Sequence, residues 1–347
     1  MGDDYVIGID SGGSHTRVVC ADLDGRVLGA AKTAGGSPTH NHHVHARDHV
    51  RSALREAIDR AGVKPGNAVG LVSGMAGFES ERDQGWSREY LDIGGLGCPR
   101  HVVNDTVVAH AGAFAGGSGI IAVAGTGSAI LGITESGEQI HNDRYFHYAG
   151  GARHLSFDAM ARILIDEDTD GDAEFVQDVF QFWGVSNKQG LRELVREHES
   201  ADRNEATHSY GRMAPLITGA AESSPLASSA CTHLARATCV GIRLLAAHFE
   251  STVVHVALQG SLARSTAFAR RISDELAASQ NKRLDVVDPA LEPAAGAALL
   301  ALQRAGIETD EWVVRRLALG PGSEPLGHGE VGDEDVDPAA QERGTDG

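Results

Sequence analysis

Residues 6–17 read Val6-Ile7-Gly8-Ile9-Asp10-Ser11-Gly12-Gly13-Ser14-His15-Thr16-Arg17. A short apolar run ends in one carboxylate, Asp10, and a glycine turn then leads into a second β-like run at residues 18–21. Glycine lets the backbone approach an anion closely, and successive N–H groups in such a turn can bind it. An acid beside a bound phosphate needs a divalent cation between them, so this stretch favours Mg-nucleotide chemistry.

An ordinary glycine-rich hairpin is the alternative interpretation of this stretch. It is neither a P-loop nor a dinucleotide fingerprint, because the turn leads into a strand where both of those motifs require a helix.

A second unit of the same kind follows about 110 residues later. Residues 119–133 contain two apolar runs around the turn Gly125-Thr126-Gly127-Ser128, which predicts a second phosphate-binding turn in the other half of the molecule. Between the two units, an apolar strand ends in Asn104-Asp105. A carboxylate between two phosphate turns could accept the proton of an attacking hydroxyl. Taken alone, Asp105 is more simply the N-cap of the following helix.

In this order the motifs resemble the sugar kinase/Hsp70/actin superfamily, and within it the branch of N-acetylglucosamine kinases and BadF/BadG-type ATPases. The resemblance runs from about residue 5 to residue 305, and later segments at 258–262 and 293–299 contribute to it. It implies an α/β fold of two ribonuclease-H-like (actin-like ATPase) domains with an interdomain cleft. The expected boundaries are 1–112 and 113–319, with the helix near 290–305 packing back on the first domain. Residues 320–347 are predicted to form an acidic disordered tail.

The resemblance also implies roles for individual residues. Asp105 is expected to be the catalytic base, and Asp10 is expected to hold Mg²⁺ through water. ATP is expected to contact Gly12, Gly13, Ser14, Thr16, Thr126, Gly127, Ser128, Gly260 and Ser261. The acceptor sugar is expected to contact Ser37, Thr39, Asn104, Gly150, Gly151 and Asp158.

Departures from the family pattern concentrate in the acceptor motifs. His15 stands where the family usually has Lys or Thr, Ser37 stands where it has Asn, and residues 150–161 lack its Trp and Glu. The implied function is ATP-dependent phosphorylation of N-acetylglucosamine or glucosamine, preferably at the 6-hydroxyl. Two alternatives stay open. One is an ATPase that activates a partner protein, against which the absence of clustered cysteine ligands counts; the other is a non-catalytic sugar or nucleotide sensor.

The net charge and the hydropathy of the chain disfavour nucleic-acid-binding, membrane-spanning and secreted proteins. The net charge of −18 disfavours nonspecific binding to nucleic acid. No apolar run reaches the roughly 18 residues of a membrane span, and Asp3-Asp4 before a strand is unlike a signal peptide. A cytoplasmic protein with four free thiols is therefore expected, and the resemblance implies a homodimer.

Two clusters contain residue types that bind metal ions: histidines in one and aspartates in the other. Four histidines lie between His40 and His45, and solvated loop histidines are the simpler explanation for them. Residues 166–172 are rich in Asp but lack the Glu that closes a calcium loop, since Gln177 stands at its twelfth position. An acidic linker between two helices is the simpler interpretation of this segment.

Overall fold

The computed structural model describes residues 3–39, 41–125, 127–145, 149–200, 209–279 and 281–321. Within these ranges, the strands form two five-stranded sheets and the helices pack on the faces of both. Three sequence predictions lie outside the described residues: the role of Thr126, the position of His40 and the character of the tail from residue 322 onward.

The first sheet begins with the strand–glycine turn–strand unit predicted from the opening stretch. Its strands are β1 (Tyr5–Ser11), β2 (His15–Asp22), β3 (Val27–Ala34), β4 (Ala68–Met75) and β5 (Arg100–Val103), in the spatial order β3-β2-β1-β4-β5. Strand β4 is parallel to β1, and β5 is parallel to β4. Helices α1 (His43–Ala61) and α2 (Gln84–Tyr90) bury one face of this sheet under side chains such as Leu54 and Tyr90.

The second sheet repeats the first strand for strand. Its members are β6 (Gly119–Ala124), β7 (Ser128–Ile133), β8 (Gln139–His141), β9 (Val253–Gln259) and β10 (Arg283–Val287), in the order β10-β9-β6-β7-β8. Strand β6 pairs antiparallel with β7 and parallel with β9, just as β1 pairs with β2 and β4. The predicted α/β class with two related halves is therefore confirmed.

One face of the second sheet is buried under a helical layer. The helices of this part are α4 (Ala152–Leu164), α5 (Ala173–Trp183), α6 (Lys188–Ser200), α7 (Ala214–Ala220), α8 (Pro225–Ala246) and α9 (Thr266–Ala277). Their apolar side chains join those of β6 and β9 in the largest hydrophobic cluster of the described residues.

Two helices lie between the sheets and connect them. Helix α3 (Asp105–Ala113) follows β5 but packs on the second sheet, where Ala109 and Ala113 meet Ile121. Helix α10 (Pro293–Arg304) follows β10 but packs on the first sheet. The two helices cross where a Cβ on Gly296 would lie 2.4 Å from the backbone nitrogen of Gly112. Each sheet is thus covered by the helix that follows the last strand of the other.

The acidic stretch 166–172 joins α4 to α5, which confirms its interpretation as a linker. Lys188 Nζ contacts Asp166 Oδ1 at 2.7 Å and Asp168 Oδ1 at 2.5 Å. Asp172 Oδ1 accepts hydrogen bonds at the start of α8, from Ser224 Oγ at 2.6 Å and from the Leu226 N–H at 2.8 Å. Hydrogen bonds to its charged form outweigh its burial and lower the pKa of Asp172 to about 2.

The last described helix, α11 (Glu311–Ala318), packs beside α10 through Val313 and Leu317. None of the helices in the described ranges combines the length and the apolar character that crossing a bilayer requires.

Candidate active site

A cavity of about 750 Å³ opens between the two sheets. It lies at the carboxyl ends of the parallel strands of both, which is where ligands usually bind in α/β sheets. Among the predicted site residues, those that line it are Asp10, Gly12, Gly13, Ser14, Thr39, Asn104, Asp105, Gly127, Ser128, Gly260 and Ser261. The structure therefore brings together residues that are up to 251 positions apart, from Asp10 to Ser261.

The first glycine turn is fixed by contacts from behind. The Gly12 N–H donates to the His15 carbonyl at 2.9 Å, which closes the turn between β1 and β2. Asn41 Nδ2 donates to the Gly13 carbonyl at 2.9 Å. A Cβ on Gly35 would lie 2.0 Å from that same carbonyl oxygen, so only glycine lets the end of β3 pack this closely. The turn is therefore a rigid element of the cavity wall.

Thr16 supports this turn from inside the hairpin. Its side chain is fully buried, and its Oγ1 lies 3.1 Å from Ser11 Oγ. The structure places Thr16 behind the turn and not among the residues that line the cavity.

The second glycine turn has the same kind of support. The Gly125 N–H donates to the Gly127 carbonyl at 2.9 Å, and the Gly125 carbonyl accepts from the Ala152 N–H at 2.8 Å. A Cβ on Gly151 would lie 2.7 Å from the Gly127 oxygen, and one on Gly150 would lie 2.2 Å from a Leu234 methyl group. Gly150 and Gly151, expected at the sugar, instead let the start of α4 pack against the turn.

Asp105 is the first residue of α3, and Asn104 is its N-cap. Asn104 Oδ1 accepts hydrogen bonds from the Thr106 N–H at 3.0 Å and from Thr106 Oγ1 at 2.7 Å. Asn104 Nδ2 donates to the Phe78 carbonyl at 3.2 Å. The interpretation of Asp105 as the cap is therefore wrong, because its neighbour caps the helix. The carboxylate of Asp105 is left facing the cavity.

Two of the carboxyl groups that line the cavity, those of Asp105 and Asp10, have pKa values raised toward neutrality. Burial raises the pKa of Asp105 to about 7; the charge of Asp10 adds to this rise, and a backbone hydrogen bond opposes it. Burial also raises the pKa of Asp10 to about 6, against the effect of Arg17, whose Nη1 lies 3.5 Å from Asp10 Oδ2. Acids whose pKa values are shifted to this extent inside a cleft are typical of functional sites.

The loop after β9 closes the far side of the cavity. Gly260 has a φ of 96°, a conformation that favours glycine. A Cβ there would lie 2.5 Å from the Ala124 oxygen, which also accepts hydrogen bonds from the N–H groups of Leu262 and Ala263. The loop that contains Gly260 and Ser261 is thus attached to the end of β6, beside the second glycine turn.

Two of the residues expected at the sugar lie elsewhere. Ser37 is fully buried and donates to the Ala76 carbonyl at 2.9 Å, so it anchors the loop that presents Thr39 to the cavity. Asp158 lies on α4, where it contacts Arg162 Nε at 2.9 Å and His233 Nδ1 at 3.1 Å. Neither side chain lines the cavity.

Several charged or polar residues of the cavity have no counterpart in the sequence prediction. They include Arg17, Glu79, Thr106, Arg264 and Glu292. Arg17 could have been found, because it follows His15 by two positions and so points to the same face of β2. Arg264 Nη1 and Glu292 Oε1 lie 3.5 Å apart. No local pattern indicates that pair, since the two residues come from separate loops.

Sequence comparison with known proteins shows which part of the chain the resemblance covers. Residues 7–151 match the model of the BadF/BadG/BcrA/BcrD ATPase family. Over 150 residues, the chain is 31% identical to a Clostridium acetobutylicum protein described as an N-acetylmuramic acid/N-acetylglucosamine kinase. That alignment covers 42% of this chain and 48% of the relative. The chain thus matches about half the length of this curated relative.

Solved structures extend the similarity to most of the chain. A protein from Chromobacterium violaceum described as a candidate N-acetylglucosamine kinase aligns with a TM-score of 0.67 and 22% identity, over 87% of this chain and all of that one. A Porphyromonas gingivalis protein with the same description aligns with a TM-score of 0.61 and 20% identity, over 84% and 97%. A ROK family glucokinase from Streptomyces griseus, solved with glucose and AMPPNP, aligns with a TM-score of 0.54 and 18% identity, over 86% and 99%.

Residues 7–151 are therefore similar in sequence to the BadF/BadG/BcrA/BcrD ATPase family, and the fold of the solved structures named above extends over most of the chain.

Proposed function

We propose that this protein transfers the γ-phosphoryl group of ATP to a hydroxyl group of an amino sugar, either N-acetylglucosamine or glucosamine, preferably at the 6-hydroxyl. The observation that carries the proposal is the half-buried carboxyl group of Asp105, which lines a cavity between two glycine turns and whose pKa is raised to about 7. The description of the Clostridium acetobutylicum relative as a kinase of such sugars supports the same reaction class.

The cavity fits the proposed substrates in size and chemistry. Its volume of about 750 Å³ lies within the usual range of ligand pockets, roughly 300–1,000 Å³. A Cβ on Gly127 would meet no atom of the described residues within 4 Å, which leaves space beside the second turn for a phosphate group. The side chains of Arg17 and Arg264 line the cavity and can neutralise phosphate charge.

Phosphoryl transfer requires mainly positioning and neutralisation of charge from a protein. Asp105 accepts the proton of the acceptor hydroxyl as its oxygen bonds to phosphorus and the bond to ADP breaks. Asp10 would hold Mg²⁺ through water, and the metal ion would neutralise charge on the phosphate oxygens. The two glycine turns hold the phosphates from opposite sides, and their fixed backbones need no rearrangement when the reaction occurs.

A further acid, Glu79, lines the same cavity as Asp105. Its charge contributes to the raised pKa of Asp105, so the two groups lie close enough to interact. A carboxylate there favours an acceptor with a protonated amine. On this ground we expect a higher kcat/KM for glucosamine than for N-acetylglucosamine.

The proposal is tested by ADP release from Mg-ATP with glucosamine, N-acetylglucosamine, N-acetylmannosamine, glucose or no sugar. We expect a rate well above the blank with an amino sugar. Equal rates with every sugar and with the blank would contradict the proposal and favour an ATPase that acts on a partner protein. ATP binding without any ADP release would favour a sensor.

The activity should depend on pH through Asp105. Its pKa is raised in the folded protein to about 7, so below that pH it is protonated and cannot accept a proton. We therefore expect kcat/KM to rise with pH and to level off above about pH 7. A cation bound near Asp10 would move the corresponding inflection in kcat to lower pH. A profile that stays flat from acidic to neutral pH would contradict the assignment of Asp105 as the base.

A further inference from the structure

A second cavity, of about 600 Å³, lies over the hairpin of β2 and β3, beside the candidate active site. Its other walls are formed by residues 289–292 before α10, by Ala294 and Ala295 in its first turn, and by residues 317–321 at and after the end of α11. Among the described residues, four charged side chains line it: Arg17, Lys32, Arg60 and Glu292. Three cations against one acid are unexpected in a chain whose net charge is −18.

The pairing of β2 with β3 places two of these cations side by side. Arg17 and Lys32 are direct partners in the antiparallel register. Directly opposite residues present their side chains on one face of a sheet, and like charges in that arrangement are destabilising. Among the described residues, Lys32 takes part in no ion pair, while Arg17 is paired with Asp10. The hairpin therefore carries a positive charge that the described part of the protein does not neutralise.

The other two charged side chains of the second cavity are Arg60 and Glu292. Arg60 reaches the cavity across the edge strand, where its Nη1 donates to the Ala30 carbonyl at 2.9 Å. Glu56 Oε1 lies 2.5 Å from Arg60 Nη2 and neutralises part of its charge. Glu292, the single acid among the described residues that line this cavity, lies 3.5 Å from Arg264.

The titration of a neighbouring group is consistent with excess positive charge. His15 lies on β2, two residues before Arg17. Burial lowers its pKa, and the charges of Lys32 and Arg17 lower it further.

We propose that this second cavity binds a phosphate monoester. Its dianionic phosphate lies between Lys32, Arg17 and Arg60, and its organic part lies against the apolar wall, to which Val27, Leu291 and Leu317 contribute. A dianion matches a cluster of several cations better than a singly charged carboxylate does, and the guanidinium fork suits phosphate oxygens. The assignment rests on the geometry of this cavity and not on the proposed phosphoryl transfer.

The second cavity is coupled to the first through a shared side chain. Arg17 and Glu292 line both cavities. An anion in the second cavity would compete with Asp10 for Arg17, whose Nη1 lies 3.5 Å from the Asp10 carboxylate. Occupancy of the second cavity therefore changes the charge of the candidate active site, and by linkage each ligand alters the affinity for the other.

Calorimetric titration of the full chain with phenyl phosphate tests the proposal, in the presence of Mg-AMPPNP so that the first cavity is filled. We expect phenyl phosphate to bind more tightly than inorganic phosphate, and benzoate, which has the same ring but a single charge, to bind more weakly than either. Lys32→Ala should weaken the binding of phenyl phosphate by about tenfold or more, since a charge-assisted hydrogen bond is lost.

Lys32 is exposed and lines only the second cavity, so the variant should fold and should report on this site alone. The matched control is Arg283→Ala, which removes an exposed cation from the other sheet and should leave the affinity unchanged. Three results would overturn the proposal: no binding of phenyl phosphate, unchanged affinity in Lys32→Ala, or equal affinity for inorganic phosphate. None of them depends on whether ADP is released with a sugar, which tests the proposed function separately.

Discussion

Asp105→Asn is expected to lower kcat for phosphoryl transfer by about 10²–10⁴-fold and to leave nucleotide binding intact, because the amide cannot accept the proton of the acceptor hydroxyl. The measurement is kcat for ADP release together with the Kd for AMPPNP. Asp178→Asn is the matched control, since it makes the same change at an exposed position of α5. A variant at Asp105 that keeps more than a tenth of the wild-type kcat would remove this residue as the base.

The stability of Asp105→Asn shows whether the variant has lost catalysis alone or has also lost its fold. The pKa of Asp105 is raised from 3.8 to about 7 in the folded protein, so the folded state holds the proton more tightly than the unfolded chain does. The wild-type protein therefore loses stability as the pH rises from 3.8 to about 7. Asp105→Asn removes that loss, and we expect it to be at least as stable as the wild type at pH 8. A lower Tm at that pH would point to a structural defect instead.

Gly8→Ala is expected to destabilise the fold by about 3 kcal/mol through overpacking. A Cβ at Gly8 would lie 2.2 Å from the Ala294 oxygen and 2.3 Å from the Ala298 nitrogen. Both atoms belong to the backbone of α10, which cannot move away without leaving the first sheet. The measurement is the free energy of unfolding from denaturant titration.

Gly219→Ala is the control for this substitution. A Cβ at Gly219 would meet nothing within 4 Å, and the residue lies in helix α7, where alanine is the better helix former. We expect a neutral or slightly stabilising effect there. An unchanged unfolding free energy for Gly8→Ala would mean that α10 does not pack on β1 as described.

Most of the fold could be predicted because its signals are local. Each strand–glycine turn–strand unit marks the start of a sheet, and strand β5 lies directly before Asn104, where the sequence predicts an apolar strand. Strands β8 and β10 and helix α11 were not predicted. They are short, and β10 alternates charged and apolar residues at a sheet edge.

The candidate site was less predictable because its geometry depends on distant parts of the chain. The spacing of Asn104 and Asp105 does not reveal which of them caps α3; the structure assigns the cap to Asn104 and leaves Asp105 to the cavity. Asp158 was expected at the sugar from its motif, but its helix turns it toward Arg162 and His233. Such outcomes follow from tertiary packing, which local patterns do not encode.

The measurement that tests the central claim most directly is a single turnover with ATP labelled in its γ-phosphate, excess protein and glucosamine. The account predicts that the label appears in a hexosamine phosphate, and that its rate of appearance falls in Asp105→Asn. Label that appears in inorganic phosphate at a rate independent of the sugar would contradict it.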